Sequence, residues 1–273
     1  MVRAPGGVVL IDSGIGPRTT AKRMAGSGVM LRDVRAICLT HLDSDHFSAN
    51  WINTIVKLGV RVHCCANRVD ALIRRAELDV ADAFARLIFP FDREPFDVLP
   101  GVTLRPLPFA HDREGSHGFV IEGPASDSRG CRIGYATDLG RVPVTLIDEF
   151  CDLDVLAIES NYDPVMQQTS GRPFFLQQRI MGGKGHLSNQ QAFDTIRAIL
   201  DRCERTAARL PSHIVLLHRS RQCNCPKLVR RLFSRDARIG PRLTLAEQFA
   251  PSGWLKAQDR APLAGEQLSL AWG

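Results

Sequence analysis

His41, Asp43, Asp45 and His46 stand within a span of six residues, and imidazole and carboxylate are the side chains that hold borderline or hard divalent cations. So dense a group points to a metal centre. The plainer use of Asp43, Ser44 or Asp45 would be to cap a following helix. Three more ligand types, His111, Asp138 and His218, each close an apolar run further along the chain. A divalent cation held by such a set is a Lewis acid and turns bound water into a nucleophile near neutral pH.

A second group lies in Gly182-Gly-Lys-Gly-His-Leu-Ser-Asn189. Its glycines let backbone approach a phosphate, Lys184 adds charge, and His186 is the candidate to protonate a leaving oxygen. The plainer reading is an exposed histidine ahead of a helix capped by Ser188 or Asn189. His63 reads as a satisfied strand residue, His117 and His213 as partners of backbone or solvent, and Cys223 and Cys225 as weak ligand candidates beside His218.

Positioning these groups requires strands that stop where the ligands begin. Apolar runs predict strands over 8–12, 35–40, 61–65, 102–110, 118–122, 132–136, 153–159 and 213–218, and helical spacing predicts helices over 19–30, 48–58, 68–78 and 189–200. Five strands end in a ligand type: Thr40-His41, Ala110-His111, Thr137-Asp138, Ile158-Glu159 and Leu217-His218. In α/β folds ligands bind where strands terminate, so these ends are expected to meet at one edge.

A chain of 273 residues with 44% hydrophobic and 23% charged residues is expected to form a folded, soluble α/β protein, which excludes collagen-like and low-complexity classes. No apolar run reaches the ~18 residues of a membrane span, and the first residues lack the pattern of a secretion signal, so the expected compartment is cytoplasmic, with no membrane partner. The eight scattered cysteines fit reduced thiols. No repeat or linker divides the chain: residues 1–240 are expected to form one hydrolase domain and 241–273 an extension packed on it.

The net charge is +6, which favours anionic partners. Only Lys22, Lys57, Lys184, Lys227 and Lys256 are lysine; the other bases are arginine, whose planar fork suits phosphate. Between His218 and Arg242 stand Arg219, Arg221, Lys227, Arg230, Arg231, Arg235 and Arg238 against one acid, Asp236. That stretch could lie along a nucleic-acid strand, or be an ordinary solvated face. Trp51, Trp254 and Trp272 are dispersed, so no aromatic platform for stacking bases is evident.

The pattern Leu10-Ile-Asp-Ser-Gly14, Thr40-His41-x-Asp43-x-Asp45-His46, His111, Asp138 and His218 resembles the metallo-β-lactamase fold hydrolases over roughly residues 8 to 230. Ala136-Thr-Asp-Leu-Gly140, Glu159-Ser-Asn-Tyr-Asp163, Gly185-His-Leu-Ser-Asn189 and Leu217-His-Arg-Ser220 resemble its bacterial exonuclease-like branch, related to tRNase Z and the phosphonate-pathway cyclic phosphodiesterase. The resemblance implies a four-layer αββα sandwich with a two-metal site at one edge. One cation would be held by His41, Asp43 and His111, the other by Asp45, His46 and His218, with Asp138 bridging. Asp45 would also orient the nucleophile, His186 would be the general acid, and Glu159 and Asn161 would support the ligands. Lys184, Ser188, Asn189, Arg219 and Arg221 are the candidate substrate contacts.

Two departures from the family pattern stand out. Histidine is usual where this chain has Asp43, and the extra carboxylate shifts preference toward harder ions. The expected cofactors are two divalent cations, zinc first, with manganese or iron as alternatives. The family also usually has an additional strand and a Ser/Gly-rich turn ahead of the equivalent of residues 8–14, so either the start of the chain is misassigned or the first sheet lacks an edge strand. The function implied is a phosphodiesterase or exonuclease on nucleic acid. The rivals are a hydrolase of small esters, thioesters, lactones or cyclic phosphodiesters, and a binding protein with a decayed site; a homodimer is a candidate assembly.

Overall fold

The computed structural model describes residues 1–124 and 130–256; Trp272 and the rest of the expected extension beyond residue 256 lie outside them. The first sheet contains β1 (Val2–Ala4), β2 (Gly7–Ile11), β3 (Val34–Cys38), β4 (Arg61–Cys65) and β5 (Ile88–Phe91), in that spatial order. β1 pairs antiparallel with β2, and β2 to β5 run parallel. Ahead of residues 8–14 the chain thus forms one short strand, which edges the sheet and leaves only three residues of open backbone.

The second sheet holds β6 (Phe96–Leu99), β7 (Val102–Phe109), β8 (Ser116–Gly123), β9 (Cys131–Ala136), β10 (Val155–Glu159), β11 (His213–Leu217) and β12 (Leu243–Leu245) in the order β12-β11-β10-β9-β8-β7-β6. Its β6–β9 half is antiparallel and its β9–β12 half parallel. β1, β5, β6 and β12 escape the sequence reading because each is at most four residues long.

Alternation along the strands builds the layers. Val8 and Leu10 pack with Ile37, Ile55 and Phe84 under the helices of the first half, while Val9 faces Leu104, Phe119 and Ile121 between the sheets. Val120, between Phe119 and Ile121, points the other way, to Phe193, Ile196 and Phe233. The helices are α1 (Pro17–Met24), α2 (Ile52–Leu58), α3 (Val69–Ile73), α4 (Leu78–Ala85), α5 (Leu146–Glu149), α6 (Pro164–Gln168), α7 (Phe174–Met181), α8 (Asn189–Arg205) and α9 (Pro226–Phe233). The result is the expected αββα sandwich.

Helix ends depart from the periodicity where backbone chemistry intervenes. The helix expected over 19–30 stops at Met24, since Gly26 and Gly28 adopt φ of 80° and 77°. The single helix expected over 68–78 is two, because the chain straightens at Glu77 (φ −67°, ψ 153°). All eight cysteines are free, and among the described residues no helix is long and apolar enough to cross a membrane.

Candidate metal centre

The loop after β3 carries His41, Asp43, Asp45 and His46, and hydrogen bonds hold it to the end of β2. The Asp12 carboxylate accepts from the Thr40 amide at 2.8 Å, from the Thr40 hydroxyl at 2.9 Å and from His46 Nδ1 at 2.8 Å. The Ser13 amide donates to the His46 carbonyl. Gly14 is required beside this contact: a Cβ there would stand 1.6 Å from the Asp45 carbonyl. The opposite wall comes from the second sheet. His111 Nδ1 donates to the Gly185 carbonyl at 3.0 Å, which turns Nε2 toward the site.

Glu159, fully buried, organises that wall. It accepts from the amides of Asp138, Leu139 and Leu187 at 3.1, 3.2 and 2.8 Å. It also lies 3.3 Å from His186 Nδ1 and 3.4 Å from His218 Nδ1. The Asn161 amide group donates to the His218 carbonyl at 2.7 Å. Glu159 and Asn161, the residues expected to support the ligands, therefore both contact His218.

Four groupings among the described residues could each hold an ion: His41 with His111 and Asp138; Asp45 with His46 and His218; Asp138 with Glu159, His186 and His218; and Asp43 with His111 and Asp112. Asp138 belongs to two of them, as a bridging ligand would. Asp43 is half exposed, with a carboxylate oxygen 3.7 Å from His41 Nε2, and groups with His111 and Asp112. His41 Nε2, His46 Nε2 and Asp138 Oδ2 are buried without a hydrogen-bond partner, although the last two lie 3.0 Å apart. Buried polar atoms are normally satisfied, so atoms left bare and converging are what a cation would complete.

The electrostatics agree. Burial alone would discharge His46 and His218, yet Asp12 and Asp138 hold His46 up at about 11, and Asp138, Asp45 and Glu159 hold His218 up at about 10. A hydrogen bond from His218 pulls Asp45 down to about 2. The site's carboxylates thus gather positive charge, which a divalent cation supplies more compactly than protons on imidazoles. His41 goes the other way, lowered to about 3 by burial and then by His46, so it is a neutral imidazole ready to ligate. Six described non-glycine residues have positive φ, and Asp12, Asp112, Asp138 and His218 are four of them. Such conformations gather where a site dictates the backbone.

Other expected contacts lie elsewhere. Ser188 caps α8, with its hydroxyl accepting from the Gln191 amide at 3.2 Å, and the buried Asn189 bonds Ser160 and Asn224. Arg219 donates to the Ala246 carbonyl at 2.9 Å, and Arg221 lies over the Phe249 ring at 4.7 Å. Of the basic stretch, Arg238 pairs with Asp236, Asp201 and Glu204. Lys184 does border the site, in a cleft it shares with Asp43 and His111. Cys223 packs on Tyr162 and Ile180, away from the ligands.

The sequence reading gave no role to Asp112, Arg68 or Arg75, and none to Asp12 beyond its motif. Asp12 and Asp112 each stand beside a quoted residue, but only their positive φ and their contacts mark them.

The fold recurs among solved structures. Human tRNase Z, short form, aligns with a TM-score of 0.60 at 17% identity over 91% of this chain and 88% of that one. Zinc-bound PqqB from Methylobacterium extorquens aligns at 0.59 and 18% identity over 90% and 82%. A diphosphatase from the PhnP family aligns at 0.53 and 17% identity over 89% and 78%. A comparison with curated protein sequences finds no match. The family described as the β-lactamase superfamily domain matches residues 8–214, a span that holds every proposed ligand except His218. With its two-sheet sandwich and converging His and Asp side chains, the chain belongs to that superfamily and has the fold of a metal-dependent hydrolase.

Proposed function

We propose that the protein is a phosphodiesterase acting on nucleic acid, with His186 as the acid that protonates the leaving oxygen. The observation that carries this reading is the setting of His186. Its Nδ1 lies 3.3 Å from both Asp138 and Glu159, while Nε2 has no partner among the described residues. The carboxylates behind one ring nitrogen fix the ring and leave the other nitrogen open toward a leaving oxygen.

When bound, divalent cations supply Lewis acidity to a phosphoryl group and lower the pKa of water. His41, Asp43 and His111 would hold one, and Asp45, His46 and His218 the other, with Asp138 reaching both. Asp12 and the Gly185 carbonyl fix the ring orientations of His46 and His111. Asp45, kept ionised by the hydrogen bond from His218, would orient an attacking water while it ligates. Gly140 brings the chain after Asp138 against the glycine-rich loop: a Cβ there would meet Lys184 backbone at 2.4 Å. The tRNase and diphosphatase names among proteins of this fold are consistent with phosphorus as the reacting atom.

The test compares His186→Ala with wild type, both loaded with zinc or manganese, on two substrates. Thymidylyl-thymidine leaves as an alkoxide that needs a proton; bis-p-nitrophenyl phosphate leaves without help. The variant should lose about 10²- to 10⁴-fold in kcat on the dinucleotide and far less on the aryl ester, with metal content unchanged. Failure of metal-loaded wild type to cleave either substrate sinks the phosphodiesterase reading. Equal losses on both remove His186 from proton transfer.

A further inference from the structure

On the Asp43 side the metal centre opens into a cleft of about 690 Å³, a size that holds a small ligand. Arg68 and Arg75 bracket α3 on one wall, Arg113 stands on the loop after His111, and Arg179 and Lys184 face them from the segment that carries His186. None of these belongs to the basic stretch after His218.

Only Arg179 is neutralised closely, by Asp112. Arg68 is nearly buried; its Nη2 donates to the carbonyls of Glu114 and Gly115, and its Nε has no partner, the exposed Glu114 carboxylate lying 3.8 Å away. Arg75 donates to the Leu42 and Phe47 carbonyls and, like Arg113 and Lys184, has no carboxylate partner among the described residues. Guanidinium groups pinned by carbonyls keep their full charge and are held in place for a ligand. The buried Arg68 has only the exposed Glu114 carboxylate, 3.8 Å away, to offset its charge, and an anion in the cleft would pair with it more closely.

We infer that this cleft is the subsite for a second phosphoryl group of the substrate, beside the one that reacts at the metals. The inference rests on the phosphodiester reading for the first phosphoryl group and adds what flanks it. The lining sets Arg68, Arg75, Arg113, Arg179 and Lys184 against Asp43, Asp112 and Glu114, and a dianionic terminal phosphate matches the remaining positive charge, because hydrogen bonds between ionised groups are about twice as strong as neutral ones. The next internal phosphate of a strand offers the same oxygens with less charge.

Calorimetric binding to the zinc-loaded full chain tests this with thymidine 5′-monophosphate, thymidine 3′,5′-bisphosphate and the trinucleotide dTpdTpdT. The bisphosphate should bind at least about tenfold tighter than the monophosphate, roughly 1.4 kcal/mol. That advantage should shrink below about threefold in Arg75→Gln. Because Arg75 also ties the loop of Leu42 and Phe47, Arg113→Glu, at an exposed position, is measured beside it. Equal affinities in wild type, or an advantage that survives both variants, overturn the inference. Tighter binding of the trinucleotide than of the bisphosphate, lost in the same variants, supports the subsite with an internal phosphate as occupant. A wild type that shows the advantage but cleaves no diester keeps the subsite and defeats the phosphodiesterase reading alone.

Discussion

Asp12 reaches no cation in any of the ligand groupings, yet it determines how His46 faces the site. One carboxylate oxygen accepts from His46 Nδ1 at 2.8 Å while the group also anchors the Thr40 amide and hydroxyl. Partners of this kind set the tautomer and orientation of a ligating ring, and their loss commonly weakens metal binding 10- to 100-fold. Asp12→Asn tolerates the same φ of 62°, so its effect reports on charge and hydrogen bonding rather than backbone. Zinc affinity at the weaker site, measured by competition with a chelating dye, should fall by about 10-fold or more. An unchanged affinity would reduce Asp12 to a loop anchor. Asp43 belongs to this scale too: its half-exposed carboxylate lies 3.7 Å from His41 Nε2 and groups with His111 and Asp112, so a ligand type stands where the family pattern has histidine.

At the scale of elements, β4 carries a second buried imidazole. His63 packs between Phe89 and Phe96, with ring centroids 5.6 and 5.0 Å away, and its Nε2 has no partner. Burial, then Arg61, lowers its pKa to about 4 from an ordinary 6.5. The unfolded chain therefore takes up a proton as pH falls through 6.5, and the folded chain only near 4. Stability present above 6.5 is lost across that window, by roughly 3 kcal/mol in full. Between pH 7 and 5 the Tm of wild type should drop about 5 °C further than that of His63→Leu. Parallel curves would show that His63 takes no part in acid sensitivity. The strand itself was legible from its apolar alternation, and so was α8 from its spacing. β5 and β6 were not, because four residues carry too little periodicity to separate a strand from a loop.

The two halves of the molecule, packed on each other through Val9, Leu104, Phe119 and Ile121, also meet where the protein would react. His41, Asp45 and His46 come from the first sheet's side, while His111, Asp138 and His218 follow strands β7, β9 and β11 of the second. A cation bound there ties the halves to each other, and a ligand that binds only the folded state stabilises by ~4 kcal/mol at a thousand times its Kd. Exhaustive chelation should lower the Tm by about 10 °C and restored zinc should reverse it. A Tm indifferent to both would mean that the converging side chains hold no cation.

What the sequence by itself determined was the kind and order of the candidate ligands. A histidine or aspartate at the end of an apolar run is a local property, and both strand periodicity and residue type survive without tertiary information. His41, Asp45, His46, His111, Asp138 and His218 were therefore legible, as were Glu159 and Asn161 behind them. Apart from Lys184, which the glycine-rich segment already marked, which charges face the site was decided only by the folded chain. The basic run after His218 looks like a strand-binding face, yet Arg219 turns to the Ala246 carbonyl and Arg238 to Asp236. The cations that do border the centre, Arg68, Arg75 and Arg113, are scattered singly along the sequence. Long, flexible side chains take the partner that the nearest loop presents, and which loops are near is a property of the packed sheets alone.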